Sequence, residues 1–375
     1  MPVTGYDARA IEEYYDMRPL QVGWRLNSLG FPLLGACGCV CLFASPKGLL
    51  FLTPHCCCCS IGWYFGLLWD QLSGRDSDIT VQRNRGAQLR HHLVASQSVA
   101  LIKSGQALSL RPDVVRNPYW CEELGKLVDA VGAFSDVEAM RIMQKEWSDI
   151  VPRLQATKSE WQTKRTAGRR RRKKMTRLER LVETDPVLSL FEFYNDYRAV
   201  ASASIGQVYK ARIRRGKQLE AAIGPVMAAK WGGRVVAIKV QRPNVEASAS
   251  LDMYLLRRTA MWLSKFRGGD LPKIADAFGM QLFGELDYVR EADNCDRFRV
   301  LYDDWEDVEV PAACQKLTRR KVLVSSWVDG EKGPWSGQDG IDMVGIGLRC
   351  SVDQLMSTGL FHAGTDSWRA HFLPP

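Results

Sequence analysis

The stretch Val235-Val236-Ala237-Ile238-Lys239-Val240 decides the fold. Its β-branched residues predict a strand. A second predicted strand runs from Ala203 to Ala211, Gly-rich sequence separates the two, and Val322 to Val324 predicts a third. Helices are predicted over 251–266 and 275–299. Strands followed by helices and a further strand are typical of an α+β lobe with an antiparallel sheet.

Lys239 is the residue of this stretch that carries chemistry. In a protein-kinase-like fold, the lysine of a V-A-I-K sequence on the third strand reaches the α- and β-phosphates of a nucleotide. A half-buried ammonium needs an acidic partner from a neighbouring helix, because an unpaired charge is costly to bury. The predicted helix 275–299 offers Glu285, Asp287 and Glu291, the last two sharing a helix face. The four letters alone are weak evidence, because an exposed strand lysine produces the same pattern.

Upstream of the strands, the sequence predicts helices from 78 to 156. Ser135 and Glu138 have the spacing of a capping box, which predicts that the Ser135 side chain accepts from the amide of Glu138. The same region contains Lys103-Ser104-Gly105-Gln106, where Gly105 would allow a neighbouring element to approach closely. Physical reasoning alone assigns this stretch no function.

Five short motifs, in this order along the chain, point to one family. They are Lys103-Ser104-Gly105-Gln106, Ala201-Ser202-Ala203-Ser204-Ile205-Gly206-Gln207-Val208, V-A-I-K-V-Q-R-P from Val236 to Pro243, Glu285-Leu286-Asp287, and Glu291-Ala292-Asp293-Asn294. They resemble, respectively, the KxGQ motif, the alanine-rich loop, the third strand, the ExD motif and the E-A-x-N sequence of the UbiB (aarF-domain) family of atypical, kinase-like proteins. In that family the alanine-rich loop replaces the glycine-rich loop of protein kinases.

The resemblance implies a protein-kinase-like N-lobe that binds ATP or ADP. Lys239 would contact the phosphates and pair with Glu291, while Ala237 and the loop Ala201–Val208 would surround the nucleotide. An N-terminal extension carrying Lys103, Gly105 and Gln106 would lie over the active site, tied to the lobe by Glu285 and Asp287.

The resemblance also implies a cellular role. Family members are similar to ATPases or small-molecule kinases that support isoprenoid-quinone and prenyl-lipid metabolism at membranes. The expected partners are therefore ATP or ADP, membrane lipid and proteins of the prenyl-quinone pathway. The expected location is a chloroplast or mitochondrial membrane, and the N-terminal motif at Tyr14-Tyr15 resembles plastid members.

The sequence departs from the family at the catalytic loop. Residues Gly359 to Ala363 resemble the opening of that loop, but Gly364 occupies the position of the catalytic Asp. The metal-binding Asn and a D-F-G sequence do not follow, so the Mg²⁺ expected for the family lacks its ligands. No catalytic residue is therefore assigned, and His362 is expected to support the loop. The alternative is a non-catalytic, membrane-associated nucleotide-binding or scaffold protein.

Charge and cysteine are both local. Residues 164–180 hold ten Lys or Arg and one acid, which equals the net charge of +9 of the whole chain. This run could contact RNA or a nuclear import receptor. Because aromatic residues are not interleaved with the basic ones, the sequence favours a solvated loop instead. Seven of the 11 cysteines lie between Cys37 and Cys59, without the separated pairs of a zinc finger. We therefore predict no metal site there, and a reducing environment.

An apolar region and the boundaries of the motifs predict the domain organisation. The segment 28–71 is long enough for one membrane span or a tight hairpin, or it forms a buried or interfacial segment. The first 15 residues resemble neither a secretory signal nor an organelle transit peptide. We predict five regions: an N-terminal region 1–77, a helical extension 78–156, a basic insertion or linker 157–196, a kinase-like N-lobe with hinge 197–330, and a partial helical C-lobe 331–375.

Overall fold

The computed structural model describes residues 5–28, 57–128, 131–158, 176–267, 269–330, 336–359 and 371–372. Its helices are α1 (Ala8–Asp16), α2 (Pro19–Ser28), α3 (Cys57–Leu72), α4 (Ile79–Ala95), α5 (Val99–Ser109), α6 (Pro112–Val115), α7 (Pro118–Gly125), α8 (Asp136–Glu146), α9 (Val151–Lys158), α10 (Arg177–Thr184), α11 (Lys217–Ile223), α12 (Pro225–Trp231), α13 (Val245–Arg267), α14 (Leu271–Glu285), α15 (Tyr288–Leu301) and α16 (Gly337–Asp353). Its strands are β1 (Phe191–Phe193), β2 (Ala201–Ser202), β3 (Gly206–Ile213), β4 (Val235–Gln241), β5 (Val308–Glu309), β6 (Val322–Ser326) and β7 (His371–Phe372).

The chain divides into two compact units. The first contains residues 1–132 and 244–284, and the second contains 133–243 and 285–375. This division differs from the predicted boundaries, because 133–156 group with the sheet and 244–284 group with the N-terminal helices. Part of the predicted linker also folds into the second unit, where 191–193 form strand β1.

The second unit is built on an antiparallel sheet with the order β1-β3-β4-β6, and β2 pairs with β3. Strand β4 lies between β3 and β6. Its residues Val236, Ile238 and Val240 are fully buried, whereas Ala237 and Lys239 between them are only partly buried. Successive side chains of a strand point to opposite faces, so one face of β4 packs into the core. The predicted α+β class and antiparallel sheet are confirmed.

Large aromatic side chains fill the core of the second unit. The Trp147 ring stacks on Phe191 at 5.1 Å between centroids, and its ring N–H donates to the Leu317 carbonyl at 2.6 Å. Trp231 is also fully buried. A buried indole N–H usually finds an acceptor, and the Leu317 carbonyl is the acceptor for Trp147.

The Gly-rich sequence between β3 and β4 is helical. Helices α11 and α12 occupy it, and Gly224 between them has φ of +87°, a conformation that favours glycine. Pro225 begins α12, where its missing N–H costs nothing. The glycines therefore mark helix ends.

The first unit is helical in its described residues. Arg25 on α2 forms a bidentate ion pair with Asp252 on α13, at 2.7 and 2.9 Å. Ser98, the N-cap residue of α5, donates its hydroxyl to the same carboxylate at 2.6 Å. Burial raises the pKa of Asp252, while Arg25 and Ser98 oppose that shift. Because a buried carboxylate is stable only with such partners, this cluster fixes α2, α5 and α13 against each other.

Helix α8 begins at the predicted place, but not by the predicted capping bond. Ser135 is its N-cap residue and makes no side-chain hydrogen bond to the helix amides. Asp136 instead accepts from the Tyr209 hydroxyl at 2.8 Å and from the Ala199 amide at 3.2 Å. The start of α8 is thus fixed by contacts with Tyr209 and Ala199 of the same unit. The spacing of residues within the helix could not predict these contacts.

The predicted apolar segment 28–71 lies mainly outside the described residues, apart from α3. Within the described residues, no helix has the length and apolar character needed to cross a bilayer.

Candidate functional site

Lys239 lies on the face of β4 that points away from the buried Val236, Ile238 and Val240. The residue opposite Lys239 on β3 is Val208, and the residue opposite on β6 is Leu323. The strand therefore presents an ammonium group from the middle of the sheet, on the same face as Ala237.

The predicted ion pair between Lys239 and Glu291 is confirmed. The lysine Nζ lies 2.9 Å from both carboxylate oxygens of Glu291 on α15. The side chains are 13% and 11% exposed. At this burial the pair is stronger than a surface ion pair, because less water screens the charges. The geometry fixes the ammonium above the sheet.

Tyr288 adds a second support for the lysine. The Lys239 Nζ lies 4.7 Å from the centroid of the Tyr288 ring, within the range of a cation–π interaction. Tyr288 is fully buried, and burial raises its pKa well above the usual range, helped by the nearby carboxylate of Glu291. The ring is therefore neutral at physiological pH and acts as an apolar wall beside the ammonium.

The predicted alanine-rich loop forms a tight hairpin between β2 and β3. Ala201 pairs with Val208 and Ser202 with Gln207, and the Ala203 amide donates to the Gly206 carbonyl at 2.8 Å. Residues Ser204, Ile205, Gly206 and Gln207 are buried. The hairpin tip is thus folded against the protein.

Gly206 is required by a close approach and not by its backbone angles. A Cβ added to it would lie 2.5 Å from the Val240 carbonyl oxygen and 2.6 Å from the Tyr288 hydroxyl. The backbone oxygen cannot move aside as a flexible side chain could. Any larger residue would therefore push the hairpin away from β4 and Tyr288.

Gln207 connects the hairpin to the start of α8. Its side-chain oxygen accepts from the Phe134 amide at 3.0 Å, and its amide group donates to the Tyr209 hydroxyl. That hydroxyl in turn donates to Asp136. Gln207 has no exposed surface, so it acts here through neighbouring protein groups.

The predicted acidic helix is interrupted, which changes the interpretation of Asp287. Helix α14 ends at Glu285 and α15 begins at Tyr288, so Asp287 and Glu291 do not share a continuous helix face as predicted. Asp287 is the N-cap residue of α15, and its carboxylate accepts from the amides of Val289 and Arg290 at 3.1 and 3.4 Å. The cap orients the helix that carries Glu291.

The KxGQ residues lie on α5 in the first unit. Lys103, Gly105 and Gln106 are all buried, and the Gln106 side-chain amide donates to the Leu127 carbonyl at 3.3 Å. A Cβ on Gly105 would lie 2.6 Å from a Leu127 methyl carbon and 2.9 Å from one of Leu93. Gly105 thus allows the close packing that the sequence predicted.

Two predicted features remain predictions. Lys103 and Gln106 belong to the first unit and Glu285, Asp287 and Lys239 to the second, and the expected position of the KxGQ residues over the active site stays a prediction. The positions of Leu360 to Gly364, including His362 and Ala363, and of Cys37 to Cys56 and most of the basic run lie outside the described residues.

A bound metal ion needs several ligating side chains held close together. Among the described residues, no group of three or more His, Cys, Asp or Glu side chains could hold one. Residues 364–369, which follow Ala363, lie outside the described residues.

These features define the class of fold. An antiparallel sheet whose central strand carries a lysine, paired with a glutamate from the adjoining helix, is the N-lobe of a protein-kinase-like fold. Sequence comparison gives the family: the ABC1 atypical kinase-like domain matches residues 170–366, more than half of the chain. The chain belongs to this ABC1 (aarF-domain) family, which confirms the resemblance drawn from its motifs.

Individual relatives are longer than this chain. Uncharacterized protein sll0005 of Synechocystis sp. is 29% identical over 96% of this chain and 41% of its own length. Protein ACTIVITY OF BC1 COMPLEX KINASE 3, chloroplastic, of Arabidopsis thaliana is 32% identical over 75% of this chain and 33% of its own length. The chain thus spans less than half the length of these two relatives. The solved complex of Rv3197 with erythromycin from Mycobacterium tuberculosis aligns with a TM-score of 0.31 and 24% identity, over 61% of this chain and 51% of that one; so low a score carries no argument.

Proposed function

We propose that this chain is an adenine-nucleotide-binding kinase-like protein. The observation that carries the proposal is the Lys239–Glu291 pair on the outward face of β4, with the hairpin 201–208 alongside. A nucleotide phosphate is the anion that a lysine in this position binds in kinase-like folds. Ala237 lies on the same face of β4, and a small side chain is what an adenosine group bound above the sheet would need there.

The nucleotide is expected to bind weakly and with little dependence on magnesium. Metal ions normally bridge the phosphates and neutralise their charge in kinases. This chain supplies the lysine and the hairpin, but Gly364 stands at the family's catalytic Asp position, and Arg369 stands where the D-P-H-P-G-N sequence has its metal-binding Asn. We therefore propose nucleotide binding with little phosphoryl transfer for this chain, and phosphoryl-transfer or ATPase activity for family members with the complete catalytic loop.

An equilibrium titration with a fluorescent ADP analogue tests this proposal. We expect saturable binding that unlabelled ADP or ATP displaces. The affinity should be similar in about 5 mM MgCl₂ and in EDTA, and Lys239→Met should abolish binding. Lys217→Met is the matched control, because Lys217 is exposed at the start of α11. Equal binding by Lys239→Met and wild type, or strong magnesium-dependent turnover, would contradict the proposal.

We further propose that the protein acts in plastid prenyl-lipid or isoprenoid-quinone metabolism. The support is the kinship with a relative whose name includes the word chloroplastic, together with the role implied by the family resemblance. Import of the full-length protein into isolated chloroplasts, followed by protease protection, tests the location. Failure to be imported would count against it.

A second candidate function, a membrane-associated scaffold, is favoured by α3. Its Phe65, Leu68, Trp69 and Leu72 occupy one helix face by their spacing and are exposed, Leu72 by 84%. Its Asp70 is turned inward, where it pairs with Arg85 at 2.7 Å. A helix of 16 residues with an apolar outer face suits the bilayer surface. Replacing Phe65 and Trp69 by Ser should release the protein from lipid vesicles, and unchanged vesicle binding would eliminate this candidate.

A further inference from the structure

Arg242 makes a set of contacts with the hairpin tip that the family motifs do not explain. It follows β4 directly, and its Nε and Nη2 each donate to the Ala203 carbonyl at 3.1 Å. Nη2 also donates to the Ser202 hydroxyl at 2.9 Å, and the Arg242 amide donates to the Ile205 carbonyl at 2.9 Å. One residue thus holds both sides of the hairpin tip.

The hairpin needs such an anchor. Strand β2 has two residues, and its ladder with β3 has two residue pairs. So short a ladder is marginal in water without tertiary support. A charged donor is well suited to supply it, because hydrogen bonds from charged groups are about twice as strong as those between neutral groups.

The surroundings of Arg242 favour a guanidinium over other cations. The guanidinium lies 5.5 Å from the Phe134 ring, and burial lowers the pKa of Arg242. Its planar fork reaches the carbonyl and the hydroxyl together, whereas a lysine ammonium is a single point on a flexible stem. The ring of Phe134 and the two acceptors therefore fix the side chain in one orientation.

We propose that Arg242 is a positioning residue that locks the alanine-rich hairpin down on the sheet and so slows nucleotide release. This inference rests on the proposed nucleotide binding. The guanidinium acts through the hairpin, because its Nε and Nη2 donate to Ser202 and Ala203. The hairpin is then a fixed cover, and exchange of nucleotide requires the Arg242 contacts to break.

Hydrogen exchange tests the lock without any nucleotide. The amides of Val200 and Ala203 donate to the carbonyls of Val208 and Gly206, both at 2.8 Å. In Arg242→Met, which keeps much of the stem but removes the donors, both amides should exchange at least about tenfold faster, equal to about 1.4 kcal/mol. Arg212→Met is the matched control, because Arg212 is the exposed residue of the otherwise buried or half-buried β3, and it should leave them unchanged. Unchanged exchange in Arg242→Met overturns the proposal.

Nucleotide release distinguishes positioning from simple charge attraction. Dissociation of the fluorescent ADP analogue should accelerate at least about tenfold in Arg242→Met, and Arg242→Lys should fall between this variant and the wild type. If Arg242→Lys keeps both the affinity and the release rate of the wild type, the fork geometry is irrelevant and the proposal is overturned. Faster hairpin exchange with an unchanged release rate overturns it as well.

The same experiment separates the two proposals. If the wild-type chain binds no nucleotide, the proposed function fails, and the exchange of Val200 and Ala203 alone decides whether Arg242 locks the hairpin. The variant Ser202→Ala provides an independent check, since it removes one acceptor and leaves the arginine in place. Its effect on exchange should be much smaller in the Arg242→Met background than in the wild type.

Discussion

Replacing Glu291 by Gln should destabilise the second unit, and the structure sets the size of the effect. The Lys239 Nζ is 2.9 Å from each Glu291 oxygen, which at an effective dielectric constant of about 20 is an attraction of about 6 kcal/mol. Desolvation offsets much of this. Loss of one partner from a fully buried pair costs about 3–5 kcal/mol. Because both side chains retain slight exposure and Gln still accepts one hydrogen bond, we expect a loss of about 2–3 kcal/mol.

Urea denaturation followed by tryptophan fluorescence and by circular dichroism measures this loss. Coincidence of the two curves checks that unfolding is two-state. Asp293→Asn is the matched control, because Asp293 is an exposed acid on the same helix and should change stability by less than about 0.5 kcal/mol. The double variant Lys239→Met/Glu291→Leu should be more stable than Glu291→Gln, since it leaves no unpaired charge. If Glu291→Gln matches the Asp293→Asn control, the ion pair does not contribute as argued.

Three further predictions concern packing and titration. Gly206→Ala should destabilise the protein by about 1–3 kcal/mol in urea denaturation, because its Cβ would meet the Val240 carbonyl, and an unchanged midpoint would contradict that close approach. Burial raises the pKa of Cys314 to about 11. Iodoacetamide at about pH 8.5 should therefore modify the partly exposed Cys121 and leave Cys314 unmodified until urea unfolds the protein. Mass spectrometry of the modified peptides measures this difference. Burial and Asp136 raise the pKa of Tyr209 in the folded protein. In the unfolded chain this tyrosine ionises at pH ~10, so the free energy of unfolding should fall as the pH rises above ~10. Tyr209→Phe should make that fall less steep, and an equal slope in the variant and the wild type would contradict the prediction.

The sheet and its lysine could be predicted from the sequence because their signals are local. Alternating burial along β4 follows directly from a run of β-branched residues, and the antiparallel class follows from the order of strands and helices. Glu291 could be identified as the partner of Lys239 only through the family resemblance. The spacing on its own left Glu285 and Asp287 as equal candidates for the partner of Lys239. It was also interpreted on the expectation that 275–299 form one continuous helix.

The break at Leu286-Asp287 was missed because no Pro marks it, and Gly284, two residues before Leu286, lies within the last turn of α14. An Asp followed by helical sequence is an N-cap signal, but Arg290 stands where a capping box would have Glu or Gln. The contacts of Arg242 were missed for a different reason. They join residues 39 and 40 positions apart, and neither periodicity nor propensity carries information over that distance. Gly216, Gly224 and Gly232 did carry a signal, since each flanks a short helix, but the two helices α11 and α12 were not predicted from it.

The most direct test of nucleotide binding at Lys239 is chemical labelling with an acyl phosphate of ATP. This reagent carries a reactive carbonyl on its terminal phosphate, and the amine of a lysine near the phosphates attacks that carbonyl, forming an amide and releasing ATP. We predict that mass spectrometry finds the acyl group on Lys239, that excess ADP prevents this labelling, and that labelling of the exposed Lys217 is indifferent to ADP. Acylation of exposed lysines alone, with no site protected by ADP, would contradict the assignment of this sheet face as a nucleotide site.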